Sequence, residues 1–304
     1  MASSIFSFYG SRLLSEIALS FVPTCAEQDK QPEVLLKRGV IREALAEPIW
    51  SSPFVSIAAN GTTLIEIATV GRFLLRGGRE ITVEAAPSAA PIEIETLLMG
   101  PVAGVLLHQR GIFPLHASCV EFGGVAIAIA GSSGRGKSTL AAALLRRGAT
   151  LLSDDICALR LPEGQPAVAL QGGTAISLWP DARAALCGGC EWLPIRRGHA
   201  KHLARLHAAE LGSRRLAAIV RLAADRGDVR PGIHRLYGPA TVAPPIAELV
   251  YRFSLGRLLG RGQQLFRDVM RLAGAVPIYE LHKPLGLSRI EEAADWAVNA
   301  AGAL

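Results

Sequence analysis

The chain has 304 residues, of which 50% are hydrophobic and 19% are charged. This length and composition exclude a disordered protein and suffice for one large or two modest domains with a buried core. Runs of about 18 uncharged apolar residues are missing, which excludes a transmembrane helix, and five scattered cysteines favour a reducing cytoplasm over a disulfide framework.

The net charge of +6 is unevenly distributed along the chain. Residues 1–112 carry 9 Lys and Arg against 11 Asp and Glu, whereas residues 113–304 carry 23 against 15. The segment from Arg183 to Arg235 holds 11 basic and 4 acidic residues, which could attract phosphates, nucleic acid or an acidic peptide. Aromatic residues are not interleaved with these arginines, so we predict a solvated face and no nucleic-acid partner.

The start of the chain lacks an export signal, because Arg12 and Glu16 interrupt its only apolar run. We therefore expect a cytoplasmic protein without membrane attachment. Up to about Glu95 the pattern is β-like, with the strand candidates VSIAA, TTLIEIATV, GRFLLRGG and ITVEAA and a hairpin turn at Asn60-Gly61. These features predict a small strand-rich domain over residues 1–95.

A helix is predicted for IEIETLLMGPVAGVLLHQRG, which ends at Gly111 and would join the first domain to a second over residues 96–304. FPLHASCVEF and VAIAIA then read as strands around the turn Gly123-Gly124. A glycine-rich loop, a helix ended by Gly148 and the segment ATLLSDDICALRL follow. The order strand, loop, helix, strand predicts an α/β core.

The last third of the chain alternates between strands and helices. LAAIVRL and PIYELHKP are predicted strands, whereas PPIAELVYRF and the stretch Leu255 to Leu272 are predicted helices. Ser288 with Glu291 matches a capping box that would open a final helix from residue 289 to residue 299. Trp179 is predicted to belong to the core.

The glycine-rich loop satisfies the phosphate-binding pattern G-x-x-x-x-G-K-[ST] at every fixed position. A loop between a buried strand and a helix directs backbone N–H groups and the positive helix end at a phosphate chain. Lys137 would contact the β- and γ-phosphates, and the Ser138 hydroxyl would bind Mg²⁺. The predicted nucleotide-binding residues are Gly131, Ser132, Ser133, Gly134, Arg135, Gly136, Lys137, Ser138 and Thr139.

Asp154 and Asp155 follow the loop by one helix and one strand, so both motifs can open at the same end of a sheet. Adjacent carboxylates point in opposite directions on an extended chain, so one can bind the metal while the other takes a proton. An isolated pair of this kind is more often a helix cap or a solvated turn.

Three further features have competing interpretations. His116 lies in an apolar strand and is either a hydrogen-bonded packing residue or a site residue. Arg197 and Lys201 could steady a phosphate or simply belong to the solvated face. A zinc site is conceivable but weakly supported, because its spacing is shorter than that of zinc fingers; its ligands would be Cys187, Cys190, His199 and His202.

The stretch from Leu115 to Leu159 resembles the nucleotide-binding core of the HPr kinase/phosphorylase family, in which a P-loop is followed by an aspartate pair. His116 lies 15 residues before Gly131, where that family carries a histidine. A looser resemblance extends to HPr-kinase-related proteins, including those associated with lasso-peptide tailoring. It rests on FYGSRLLSEIAL, SLWPDARAAL, the segment around Lys201 and PIYELHKPLGLSRIEEAADW.

The resemblance implies a P-loop kinase core with a mixed sheet like that of phosphoenolpyruvate carboxykinase. It also implies transfer of the γ-phosphoryl group of ATP, with Mg²⁺, to a serine of a peptide or small protein, such as a ribosomal peptide precursor. By position, Lys137 is catalytic, Ser138 and Asp154 bind the metal, one of Asp154 and Asp155 is the base, and His116 lies at the acceptor side. Because members of the family assemble into oligomers, the resemblance also allows a homo-oligomer, without indicating the number of subunits.

The chain also departs from the family. We find no counterpart of the segment that bifunctional members use for dephosphorylation, and the first hundred residues carry no HPr-specific signal. We therefore expect neither phosphorylase activity nor HPr as the acceptor. Two other functions stay open at this point, namely a kinase for a free metabolite hydroxyl and a nucleotide-gated binding module with slow hydrolysis.

Overall fold

The computed structural model describes residues 4–26, 30–42, 45, 47–186, 191–195, 200–206, 212–223, 230–282 and 287–302. These parts of the chain form three β-sheets and the helices that pack on them. The observed architecture is mixed α/β, as predicted, and it starts with a strand-rich region.

The first sheet is built from the N-terminal strands β1 Ser4–Phe8, β2 Ser11–Ser15, β3 Val34–Arg38, β4 Trp50–Ser51, β5 Val55–Ile57, β6 Thr63–Ile67, β7 Gly71–Arg76 and β8 Glu80–Ala85. Their order is β1-β2-β3-β8-β7-β6-β5-β4, with β3 parallel to both of its neighbours. Strands β5 to β8 are those predicted, and the Asn60 side chain accepts a hydrogen bond from the Thr62 N–H in the predicted turn (2.9 Å). Strand β1 was not predicted. Four of its consecutive residues are buried, so buried and exposed side chains do not alternate along it.

The predicted linking helix is present but interrupted. It consists of α1 Pro91–Leu97, a π-helical segment Leu98–Val102 and α2 Ala103–Arg110, and it ends at Gly111 in the left-handed conformation. Gly100 has non-helical backbone angles, and Pro101 lacks the N–H that a regular helix needs there.

The second sheet contains nine strands, namely β9 Phe113–Leu115, β10 Ala117–Phe122, β11 Val125–Ala130, β12 Thr150–Ser153, β13 Cys157–Arg160, β14 Val168–Leu170, β18 Ser213–Leu222, β19 Gly232–Leu236 and β20 Ile278–His282. Strand β18 is parallel to β11 and β20, whereas the other pairs are antiparallel, so the sheet is mixed as the resemblance implies. A third, small sheet combines β15 Ala175–Leu178, β16 Trp192–Pro194 and β17 His202–Arg205.

Helices cover both faces of the second sheet. Their bounds are α3 Lys137–Arg146, α4 Pro180–Leu186, α5 Pro239–Leu249, α6 Phe253–Leu258, α7 Gly262–Ala275 and α8 Ile290–Ala301. One apolar cluster joins the sheet to α3 and α8, and another joins it to α5 and α7. The glycine-rich loop thus leaves the middle layer of a three-layer core.

Two helix predictions near the C-terminus need correction. The helix predicted in PPIAELVYRF ends at Leu249, because Val250 forms a β-bridge with Leu115 and the Tyr251 N–H donates to the Pro114 carbonyl (2.8 Å). The stretch predicted as one helix from residue 255 to residue 272 is split between α6 and α7 by a turn at Gly260.

The capping box predicted for the last helix is also wrong. Ser288 lies within a 3₁₀ turn, Leu287–Arg289, and α8 begins at Ile290 without a side-chain cap. Glu291 instead accepts a hydrogen bond from Arg147 at the end of α3 (2.8 Å), which fastens the helix of the glycine-rich loop to α8.

The N-terminal sheet shares its apolar core with the rest of the chain. The cluster that contains buried residues of β1 to β3 and β5 to β8 also includes Ile156, Ala158 and Leu170. The domain division into residues 1–95 and 96–304 stays a prediction. Within the described residues, no helix is long and apolar enough to cross a membrane.

Candidate active site

Strand register brings three separate segments to one edge of the second sheet. Strand β10 begins beside the end of β11, where Ala117 pairs with Ala130, and β12 ends on the other side of β10 at Ser153. The glycine-rich loop follows β11 and the aspartate pair follows β12. Both therefore open at the edge where His116 precedes β10, the edge at which α/β proteins bind ligands.

The loop from Gly131 to Gly136 leads directly into α3. Gly136 has a φ of 91°, a conformation that favours glycine, and it occupies the N-cap position without a side-chain hydrogen bond to the helix end. The first N–H groups of α3 are therefore available to an anion in the cleft. Ser132, Ser133 and Gly134 are exposed at the tip of the loop.

Lys137 is buried at the base of the loop, with 8% of its surface exposed. Its Nζ donates to the Gly131 carbonyl (2.9 Å) and to the His116 Nε2 (2.9 Å). Burial lowers the pKa of Lys137, although the nearby carboxylates of Asp154 and Asp155 act in the opposite direction.

The Asp154 carboxylate follows β12 and is hydrogen-bonded to three other elements, α3, β10 and β15. It accepts hydrogen bonds from the Ser138 hydroxyl on α3 (2.9 and 3.2 Å), the Ser118 hydroxyl on β10 (2.6 Å) and the Ser177 N–H on β15 (3.0 Å). The structure thus brings together Ser138 and Asp154, the two residues expected from the sequence to bind the metal. Ser118 and Ser177 are site residues that the sequence analysis missed, since no spacing rule links them to either motif.

Asp155 points in a different direction from Asp154. Its φ of 70° places it in the left-handed region, so the chain turns sharply and the side chain remains 54% exposed to the cleft. Oδ1 lies 3.4 Å from the His116 Nδ1, and the Asp155 carbonyl lies 3.1 Å from the same nitrogen. The partly desolvated setting raises the pKa of Asp155, and its neighbour Asp154 adds to this effect, whereas His116 opposes it.

His116 lies between the two motifs, where it contacts Lys137 and Asp155 and its ring centre is 5.9 Å from that of Tyr251. Because the Lys137 ammonium donates to Nε2, this nitrogen is the acceptor and Nδ1 carries the proton, which is directed at Asp155. Burial lowers the pKa of His116, consistent with a neutral ring. Lys137, His116 and Asp155 therefore form one continuous hydrogen-bonded chain from the loop to the second aspartate.

A cleft of about 950 Å³ opens onto Lys137 and both aspartates. At its loop end it is lined by Ser133, Gly134, Gly136, Lys137, Ser138, Thr139, Asp154 and Asp155. Trp179 also lines the cleft and is 48% exposed, so its assignment to the core is wrong; the Lys201 Nζ lies 5.7 Å from the centre of its ring. Lys201 thus lies at the site, as one of its two interpretations allows.

The donor groups around Asp154 suit a hard divalent cation. One carboxylate and two hydroxyls converge there, and Mg²⁺ prefers oxygen ligands and is commonly held by one or two carboxylates together with substrate phosphates. Ser138 and Asp154 are therefore suitable ligands for a magnesium ion bound to a nucleotide.

The zinc hypothesis gains no support from the described residues. Cys187, Cys190 and His199, like Arg197, lie outside them, and His202 is a residue of β17. Within the described ranges, no three His, Cys, Asp or Glu side chains are grouped so that they could hold a metal ion.

Comparison with known proteins gives a distant relationship. No family model matches the chain, and no curated protein matches its sequence. Among solved structures, the HPr(Ser) kinase/phosphatase from Coxiella burnetii is similar at 14% sequence identity, with a TM-score of 0.34 over 61% of this chain and 88% of that chain. At this distance, the function of the chain has to be inferred from its own site.

Proposed function

We propose that the protein is an ATP- and Mg²⁺-dependent kinase that transfers the γ-phosphoryl group to a serine hydroxyl of a peptide or small protein. The observation that carries this proposal is that the first residues of α3, which follow the glycine-rich loop, are linked by hydrogen bonds to both aspartates, directly to Asp154 and through His116 to Asp155. Ser138 donates to Asp154, and Lys137 reaches Asp155 through His116. A phosphate-binding loop, a metal-binding carboxylate and a base thus meet at one point.

In this proposal the loop and the first turn of α3 bind the phosphates. The backbone N–H groups of the loop and the positive end of the helix would surround the phosphates. The Lys137 ammonium would exchange its bonds to the Gly131 carbonyl and to His116 for phosphate oxygens. A desolvated ammonium is electrostatically stronger than one in water, so its burial favours this exchange.

Ser138 and Asp154 would hold the magnesium ion, which when bound neutralises charge on the phosphates. Ser118 and Ser177 would then fix the orientation of the carboxylate from behind, since both donate to it. The sheet edge therefore supplies a ligand that is already in position.

Asp155 is the base in this proposal. A carboxylate beside the acceptor can orient its hydroxyl and take the proton while the new P–O bond forms and the bond to the β-phosphate oxygen breaks. The raised pKa of Asp155 makes it a better proton acceptor than an ordinary aspartate. The neutral His116 supports this position through Nδ1, which donates to the Asp155 carbonyl (3.1 Å).

The proposal is tested with purified full-length protein and magnesium ATP. Calorimetric titration should show binding, and Lys137→Met should weaken it and abolish phosphoryl transfer from γ-labelled ATP to serine peptides. Lys37→Met is the matched control, because Lys37 is a surface residue of β3 with 43% of its side chain exposed. No uptake of any magnesium nucleotide, or full transfer activity in Lys137→Met, would refute the assignment.

A further inference from the structure

We propose that the second half of the cleft binds the acceptor, and that it selects a peptide whose serine is flanked by apolar residues and a nearby basic residue. This inference rests on the proposed kinase function. We call this region the acceptor arm. Residues of the N-terminal sheet and the linking helix line it, namely Tyr9, Ile67, Val70, Glu93, Leu97 and Met99.

The acceptor arm begins at the proposed base. Tyr9, in the turn between β1 and β2, donates a hydrogen bond from its hydroxyl to the carbonyl of Ile156, the residue after Asp155 (3.3 Å). Its N–H also donates to the Gln171 carbonyl (2.8 Å). Tyr9 is 1% exposed, so it supports the wall of the arm from within and fastens that wall to the residue that follows the proposed base.

Two glycines keep the arm close to the catalytic strands. A side chain at Gly172 would lie 2.3 Å from the Tyr9 ring, and one at Gly173 would lie 2.6 Å from the Met99 sulfur. The Gly172 N–H donates to the Leu152 carbonyl on β12, the strand that ends just before the aspartate pair (2.8 Å). The walls of the arm thus pack directly on the backbone that carries the catalytic carboxylates.

The chemistry of the arm differs from that of the loop end. Lys137 and Lys201 line the cleft beside the loop, whereas the described residues of the arm include no lysine or arginine to hold a phosphate. The nucleotide therefore belongs at the loop end. The apolar walls of the arm favour an apolar occupant, because burying apolar surface is the main source of affinity there.

Glu93 is the only charged residue among the six that define the acceptor arm. Its negative charge favours a positively charged group on the occupant. Its Oε2 accepts a hydrogen bond from the Ala90 N–H at the start of α1 (2.9 Å), and the side chain is half-buried in the cleft wall. A carboxylate in a partly dry wall attracts a cation more strongly than one in open solvent. A lysine or arginine near the acceptor serine satisfies this requirement, and its stem packs on apolar walls.

The test uses a serine peptide library in which single flanking positions are fixed in turn, with γ-labelled ATP and the full chain. The wild type should prefer apolar flanks, and a basic residue at one position, on the order of tenfold over an acidic one. Glu93→Gln keeps an acceptor for the Ala90 N–H but should remove the basic preference, and Glu93→Lys should reverse it. Met99→Gln should weaken the apolar preference.

Val40→Lys is the matched control, because Val40 is an apolar residue that is 70% exposed, in the loop after β3. It should leave the peptide preference unchanged. Peptides phosphorylated without a flanking preference, or a preference that Glu93→Lys does not alter, would overturn the acceptor assignment and leave the kinase proposal standing. Lys137-dependent labelling of a small-molecule mixture but of no peptide would overturn the acceptor assignment and the peptide acceptor of the proposed function, and would leave only an ATP-dependent kinase. Failure to bind magnesium nucleotide would overturn both.

Discussion

Replacing each aspartate of the pair by asparagine separates a carboxylate that holds the site together from one that acts in the reaction. Asp154 accepts hydrogen bonds from Ser118, Ser138 and Ser177, whereas Asp155 is half-exposed and contacts His116. We expect both Asp154→Asn and Asp155→Asn to lose phosphoryl transfer by about two to four orders of magnitude, the range for a lost base or metal ligand. Only Asp154→Asn should also lose stability.

The expected loss of stability for Asp154→Asn follows from its partners. The bond from the fully buried Ser118 hydroxyl is short (2.6 Å) and charge-assisted, and such bonds contribute about 1.5–3 kcal/mol each. Asparagine keeps one acceptor oxygen but directs N–H groups at the remaining donors. A net loss of about 2–3 kcal/mol, or roughly 3–5 °C in unfolding temperature for a chain of this size, is therefore expected.

Asp155→Asn should leave the unfolding temperature unchanged or raise it slightly. The substitution removes a carboxylate whose pKa is raised by desolvation, and asparagine adopts the left-handed backbone at this position readily. Thermal unfolding at neutral pH and transfer rates with a fixed peptide acceptor measure the two effects. Glu163→Gln is a suitable surface control, since that side chain is 89% exposed. Equal destabilisation by both aspartate variants, or an Asp154→Asn protein of normal stability, would refute this division of roles.

Three other predictions follow from the geometry. Phosphoryl transfer should fall as the pH drops through the raised pKa of Asp155, because the base must be ionised; a rate that stays constant down to the ordinary aspartate pKa of 3.8 would contradict this. Arg147→Ala should cost about 1 kcal/mol in chemical unfolding, because its guanidinium, 25% exposed, joins α3 to α8, whereas Arg289→Ala at an exposed pair should change nothing measurable. Gly172→Ala should cost about 1–3 kcal/mol by overpacking against Tyr9, and a background of Tyr9→Ala should remove most of this cost.

Local motifs made half of the candidate site predictable. The loop, Lys137 and the aspartate pair lie within 25 residues of one another, and a fixed spacing was enough to place them at one sheet edge. The direction of each aspartate was not predictable, because it depends on the left-handed turn at Asp155. His116 could be proposed only from its position in a family pattern, and its bridging contacts require the register of β10 against β11.

The other half of the site depends on long-range packing. Tyr9 contacts the backbone of Ile156 across 147 positions of the chain, and Ser118 reaches Asp154 across 36. Nothing in the local sequence distinguishes these residues from ordinary strand residues. Trp179 was wrongly predicted to belong to the core, because a large aromatic residue is usually buried. In the structure it lines the cleft and is 48% exposed.

The cleft walls come from different parts of the fold, and the third sheet contributes Ser177, Leu178 and Leu203 between the two ends. The residues that would grip the nucleotide belong to the second sheet and α3, whereas the wall at the other end comes from the N-terminal sheet and the linking helix. We therefore expect substitutions at the cleft-lining positions of the first hundred residues to change the choice of acceptor while Lys137 and both aspartates keep their contacts. In the proposed kinase, choice of the target and transfer of the phosphoryl group would thus be encoded in separate parts of the chain, which meet where the Tyr9 hydroxyl bonds to the Ile156 carbonyl.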